Sequence, residues 1–234
     1  MLSAAIICRD EADRIEDAIR SVAFADECVV LDSGSRDDTV ARARALGARV
    51  IETDWPGFVA QKNRALAACR GEWVLSIDAD ERVTPALRDE VLAAVATGDA
   101  HGYRVPRRNF WLGHRLTAGH WYPDRKLRLA RRERARWEGE DPHDVLVVDG
   151  PVKDLRADLN HVPYRSLAEH LATIDRYSAL GARRGTVLDI LLRPSWHFVS
   201  GYLVRGGFRD GVAGLVVHAL GALHVLLRWS RGYL

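Results

Sequence analysis

Residues 71–81, GEWVLSIDADE, set three carboxylates, Asp78, Asp80 and Glu81, within four positions at the end of an apolar run. Carboxylates this close repel, and each is driven toward its protonated form unless positive charge sits among them. One chemistry that meets this need is a divalent cation. Mg2+ or Mn2+ takes oxygen ligands and commonly completes its shell with substrate phosphates and water. The alternative is a solvated strand end leading into a helix, and the residues alone leave both open.

The elements that must position these groups follow from the pattern of apolar residues. SAAIIC, ECVVLD, ARVIET and EWVLSID read as four short strands, rich in β-branched residues. Between them lie helical repeats: one capped by Asp10 with Ile15, Ala18, Ile19 and Val22 on one face, one opened by a Ser35/Asp38 capping box and stopped at Gly47, and FVAQKNRALAAC. A fourth helix is expected from Thr84-Pro85 to Gly98. Strand–helix alternation with short links predicts an α/β fold with a mainly parallel sheet covered on both faces. Ligands of such sheets gather at the carboxyl ends of the strands. Those ends carry Arg9-Asp10-Glu11, Asp32-Ser33-Gly34-Ser35, Asp54 and Asp78-Ala79-Asp80. Capping explains any one of them. All four on one edge predict a ligand site, with a sugar-nucleotide diphosphate completing the shell of a metal at the paired aspartates.

With 234 residues, 47% hydrophobic and 28% charged, the chain has the composition of an ordinary folded protein. Cys8, Cys28 and Cys69 form no C-x-x-C pair and sit in apolar contexts, so buried reduced thiols are expected. The first apolar run is too short for a signal-peptide core, and export is not expected. Net charge is only +2, yet residues 104–136 hold eleven Lys or Arg against two acids. Trp111, Trp121, Tyr122 and Trp137 accompany them, a mixture that suits sugar rings and phosphates. Nucleic acid is not an expected partner, because no recognition motif accompanies the charge and the acidic strand ends would repel a polyanion.

DSGSRDDT resembles the nucleotide-binding turn of family-2 glycosyltransferases, and DADE resembles their D-x-D metal motif. The ordered set DWPGFVAQKNRAL, SIDADERVTPAL, YRVPRRNFWLG, WYPDRKLRL and YRSLAEHL is similar to one branch, the bacterial lipopolysaccharide-core and lipooligosaccharide β-1,4-glucosyltransferase-like proteins. The resemblance implies a nucleotide-sugar-binding fold of the GT-A type, inverting transfer and a divalent cation. By the same resemblance Asp32 binds the nucleobase side of the donor, Asp78 lies near ribose and metal, and Asp80 coordinates the metal. Lys62 and Glu11 are donor contacts, whereas Asp10 departs from the family's Asn. The base that takes the acceptor proton maps onto Asp144, preceded by His143 in RWEGEDPHDVLVVDG, with Asp141 as runner-up. Trp121, Tyr122, Asp124 and Arg125 are candidate acceptor contacts. The implied reaction moves a hexose, glucose by preference, from a UDP-sugar to a lipid-linked saccharide such as the lipopolysaccharide core. Transfer to a polyprenyl phosphate and a non-catalytic scaffold are the alternatives.

The last fifty residues change character. Their longest uncharged run, Val212 to Leu227, has 16 residues, fewer than the roughly 20 of a spanning helix. Arg205, Arg209, Arg228 and Arg231 flank it, with Trp196, Tyr202, Trp229 and Tyr233 among them. This pattern fits helices lying on an anionic membrane surface, or else a helix pair packed on the core or a second subunit. The expected division is a transferase domain, 1–185, and a helical hydrophobic extension, 186–234, on an enzyme peripheral to the inner face of the cytoplasmic membrane. The sequence fixes no oligomeric state.

Overall fold

The computed structural model describes residues 1–141 and 143–233. Its strands are β1 (Leu2–Cys8), β2 (Glu27–Asp32), β3 (Arg49–Glu52), β4 (Trp73–Asp78), β5 (Glu81–Val83), β6 (Gly102–Trp111), β7 (His114–Arg115), β8 (Asp124–Arg131), β9 (Ala135–Glu138), β10 (Val145–Val148), β11 (Val152–Asp154) and β12 (Leu159–His161). The helices are α1 (Ile15–Ser21), α2 (Thr39–Ala45), α3 (Phe58–Ala68), α4 (Pro85–Thr97), α5 (Leu167–Leu180), α6 (Val187–Val199) and α7 (Gly211–Tyr233). They form two compact units, 1–107 with 125–160, and 108–124 with 161–234.

In the first unit the sheet order begins β3-β2-β1-β4-β8. β1 pairs parallel with β2 and β4, and β2 with β3, while β8 runs antiparallel to β4. Side chains alternate between faces, so one strand feeds two cores. Leu2, Ala4, Ile6, Trp73, Leu75 and Ile77 pack with α1 and α4 residues on one face. Ala5, Val29, Leu31 and Val74 pack with α3, Trp137 and Leu146 on the other. The chain runs outward from β1 to β3 and returns beside β1 as β4, which makes the carboxyl edge of β1 and β4 the switch point where such sheets bind ligands.

Local chemistry explains where elements start. Thr84 caps α4 by accepting from Leu87 N, Pro85 follows it, and Gly98 ends the helix in the left-handed region at φ 60°. Two expected caps are corrected. α1 begins after Arg14 and α2 after Asp38, neither with a side-chain cap. Asp10 and Ser35 instead stitch two loops together: Arg36 N donates to Asp10 Oδ1 (2.7 Å), and Asp10 N donates to Ser35 Oγ (2.9 Å). All three cysteines are free, and burial pushes their thiols up, to about 12 for Cys28 and Cys69.

The second unit has its own core, in which Trp111 and Leu116 meet Ala213 and Val217 of α7. α6 continues through a π-helical turn, Ser200–Val204, and a 3-10 turn, Gly207–Asp210, into α7. By length and composition the stretch Gly207–Tyr233 could cross a membrane, although its uncharged run is shorter, because the helix continues into the flanking arginines.

Candidate active site

Strand register builds the site's edge. Cys8 lies level with Asp32, and Ile7 with Asp78, so the two aspartates end neighbouring strands on either side of β1. Asp32 is almost wholly buried. Its Oδ2 accepts from Gly34 N (2.9 Å) and Ser35 N (2.8 Å), and its Oδ1 accepts from Ser35 Oγ, which folds the SGS segment into a tight turn. Gly34, at φ 81°, suits the left-handed backbone of that turn.

Three consecutive residues of α3 tie this turn to the rest of the edge. Gln61 Nε2 donates to Ser33 Oγ (3.0 Å). Asn63 clamps β9 by donating to Trp137 O (2.8 Å) and accepting from Trp137 N (2.9 Å). Lys62, between them, is buried, and its Nζ lies 2.9 Å from Asp78 Oδ1, 2.8 Å from Asp144 Oδ2 and 4.5 Å from the centre of the Trp137 ring. Successive helical residues point about 100° apart, which lets one turn reach three partners. The β9–β10 hairpin that Asn63 holds also carries Asp144, one residue before β10.

The carboxylates at the end of β4 are neutralised by the protein's own cations. Arg128 of β8 donates to Asp78 Oδ2 (2.8 Å) and Glu81 Oε1 (2.6 Å), and Arg107 lies 3.4 Å from Glu81. Glu81 is fully buried, and its other oxygen accepts from Asp78 N (3.0 Å). Burial alone would raise Asp78, but the charges of Lys62 and Arg128 hold it well below the usual carboxylate range. Burial likewise works against the charged form of Lys62, yet Asp78 and Asp144 outweigh it and the net shift is upward. Glu81 was read from the sequence as one of the three clustered carboxylates, whereas Arg128 and Arg107 were not singled out. Their signal was faint: charged residues at inward positions of strands, far along the chain from their partners.

Asp80 sits half-buried on the turn after β4. Arg82 braces that turn by donating to Ala79 O and Glu81 O (both 2.8 Å). Among the described residues no group of three His, Cys, Asp or Glu side chains could cage a metal alone. Asp78 and Asp80 supply hard oxygen donors one residue apart, and so fit a metal that brings phosphate and water ligands of its own.

The other expected residues lie as follows. Asp141 accepts from Phe58 N (2.9 Å) and Val59 N (3.1 Å), capping α3, and its carboxylate fills the space a Cβ at Gly57 would take. Glu11 donates its backbone N–H to Thr39 Oγ1 (2.8 Å) and faces Arg14 at 4.0 Å. Arg125 belongs to the first unit, where it donates to Leu155 O (3.0 Å). Trp121, Tyr122 and Asp124 belong to the second, in which Trp121 meets Tyr164 and His170 edge-on and Arg108 lies 3.8 Å over the Tyr122 ring.

The Glycosyl transferase family 2 model matches residues 3–147. The lipopolysaccharide core biosynthesis glycosyltransferase LpsC of Rhizobium meliloti is 31% identical over 249 aligned residues, 99% of this chain and 92% of that protein. The chain belongs to glycosyl transferase family 2. An uncharacterized glycosyltransferase of Rickettsia bellii is 43% identical over 49% of this chain and 39% of its own. Glucosyl-3-phosphoglycerate synthase of Mycobacterium tuberculosis, solved with Mn2+, UDP and phosphoglyceric acid, superposes with a TM-score of 0.51 at 24% identity, covering 72% of each chain. That likeness shows the fold: this family-2 glycosyltransferase has a GT-A-like architecture with a mainly parallel curled sheet and C-terminal helices, as expected from its sequence.

Proposed function

We propose that this glycosyltransferase moves a hexose, glucose by preference, from a UDP-sugar to a lipid-linked saccharide of the lipopolysaccharide-core kind, with inversion. The single observation that carries the chemistry is the line of charged groups at the switch point, Asp144–Lys62–Asp78–Arg128, its two cations buried and its two carboxylates half-buried, with Asp80 on the turn that follows β4. Likeness to LpsC along almost the whole chain supports the acceptor class. In this reading residues 1–185 form the catalytic domain and 186–234 the extension at the inner face of the cytoplasmic membrane.

Asp80, with Asp78, holds the divalent cation, which when bound offsets the charge of the departing diphosphate. Asp32 and the SGS turn receive the nucleobase side of the donor, with Glu11 beside it. Asp144 Oδ accepts the proton of the acceptor hydroxyl as its oxygen attacks the anomeric carbon. Lys62 holds Asp144 in place, since its ammonium is shared between that carboxylate and Asp78. Trp121, Tyr122, Asp124 and Arg125 are assigned to the acceptor. The test is a thermal-shift titration of UDP with and without Mn2+. Ligand binding to the native state raises apparent stability by mass action, so UDP should stabilise more strongly with Mn2+, and Asp80→Ala should abolish the extra gain while leaving the unliganded melting temperature near that of the parent. Undiminished metal dependence in Asp80→Ala refutes the assignment.

A further inference from the structure

The second unit presents an apolar surface that the transfer reaction does not use. None of the described residues of α6 is buried. Leu188, Leu191, Leu192, Trp196 and Val199 recur at helical spacing, the stripe that normally faces a core. Here they are 64%, 59%, 62%, 64% and 36% exposed. The surface continues through Leu203, Val204, Phe208 and Val212, all at least half exposed. Large exposed apolar side chains that recur along 25 residues of chain point to an interaction site more than to ordinary surface scatter.

We propose that this face, residues 187–212, dips into one leaflet of an anionic phospholipid membrane, and that α7 lies along that leaflet without crossing it. Charge selects the lipid. Residues 181–234 hold seven arginines and two acids. Both acids are engaged: Asp189 completes the α6 capping box and pairs with Arg193, and Asp210 accepts from Thr117 N and Ala118 N. Exposed Arg205 and Arg209 alternate with Leu203, Val204 and Phe208, which lets apolar stems enter the acyl boundary while guanidinium groups stay at the phosphates. A symmetric contact with a second copy would bring like-charged rims together. Trp196 has the amphipathic ring that settles at headgroup level.

α7 is tied down along its length. Arg228 donates to Gly181 O, and Arg231 to Ser178 Oγ and Asp175 of α5. Near the middle His218 is 1% exposed, bonded through Nδ1 to Gly214 O (2.7 Å) and through Nε2 to His120 N (3.3 Å). Crossing a bilayer would strip α7 of these partners and leave buried polar groups in hydrocarbon.

The inference rests on the membrane half of the proposed function, and the test is scored without donor or acceptor, so its failure leaves the transfer reaction standing. The full chain is floated with vesicles of phosphatidylcholine alone or with phosphatidylglycerol added. Binding should need the anionic lipid, weaken in high salt and fall about a hundredfold in the double variant Leu191→Glu/Leu192→Glu. Brominated acyl chains should quench a tryptophan signal that Trp196→Phe removes. Undiminished binding by the glutamate variant overturns the assignment of this face. A parent that ignores vesicles and forms a dimer dissociated by the same variant assigns the face to a second copy. Resistance to alkaline carbonate extraction, with a protease-protected C-terminus, would show that α7 spans.

Discussion

Asp78 accepts from two buried cations at once, and Lys62 shares one ammonium between Asp78 and Asp144. A buried ion pair adds little net stability, but removing one partner leaves an uncompensated charge. Lys62→Met should therefore destabilise the fold by about 3 kcal/mol, read as a drop in denaturant midpoint, and Asp144→Asn by much less, because it keeps size and one hydrogen-bonding oxygen. Turnover should reverse the ranking of concern: Asp144→Asn, unable to take a proton, should lose about 10²–10⁴-fold with UDP binding intact. Near-parental turnover in that variant would remove Asp144 from the role of base. The strand-end acids were legible in the sequence because strand ends announce themselves by an apolar run that stops. Of the cations that neutralise them, Lys62 was named through the family resemblance but its pairing with Asp144, 82 residues away, was not, and Arg128, 50 residues from Asp78, was missed altogether, because nothing local in an arginine-rich stretch says which guanidinium turns inward.

At the scale of elements, α3 is the part that gathers the site. Its N-terminus is capped by Asp141, and its first turns reach the Asp32 turn, the β4 end and β9. The helix was legible from its apolar spacing, and so were the strand–helix alternation and the Thr84 cap. The double bond between Asn63 and Trp137 was not, because an asparagine within a helix has no periodic signature. Two substitutions separate scaffold from chemistry. Asp141→Ala should cost about 1 kcal/mol, as a lost cap does, and should leave most turnover, in contrast to Asp144→Asn. Asn63→Ala leaves the backbone N–H and C=O of buried Trp137 without these partners, so a loss of roughly 1–3 kcal/mol is expected. Turnover should also drop, because the hairpin carrying Asp144 loses its clamp. A melting temperature and turnover both unchanged in Asn63→Ala would show that the hairpin is held by its apolar contacts alone.

At the scale of the molecule, the sequence pattern marked the C-terminal helices as a separate character but not their inward face, on which Ala213 and Val217 complete a core with Trp111 and Leu116. That core comes from segments a hundred residues apart, which no local periodicity reveals. The same unit concentrates histidines, seven of the nine in the chain. Burial, with the nearby His224, pushes His170 down to about 4, and burial with His120 does the same to His197; burial also lowers His120. For His170 the cause is concrete: it is 3% exposed, and its Nδ1 faces the Trp111 indole N–H at 3.1 Å as the acceptor, which a protonated ring could not be. A histidine whose folded pKa lies below its unfolded value of about 6.5 binds protons better unfolded, so its stabilisation is complete above that pH and lost as pH falls toward 4. The loss from His170 alone is about 3 kcal/mol by pH 4. Asp78 adds nothing to this window, being held ionised far below it by Lys62 and Arg128. Thermal unfolding followed from pH 7.5 to 4.5 should thus show a falling midpoint that begins near pH 6.5. His170→Gln, which can still accept from Trp111, should flatten that fall while lowering the midpoint only modestly at pH 7.5. A midpoint that stays level down to pH 4.5 in the parent would mean the histidines are hydrated enough to charge without cost.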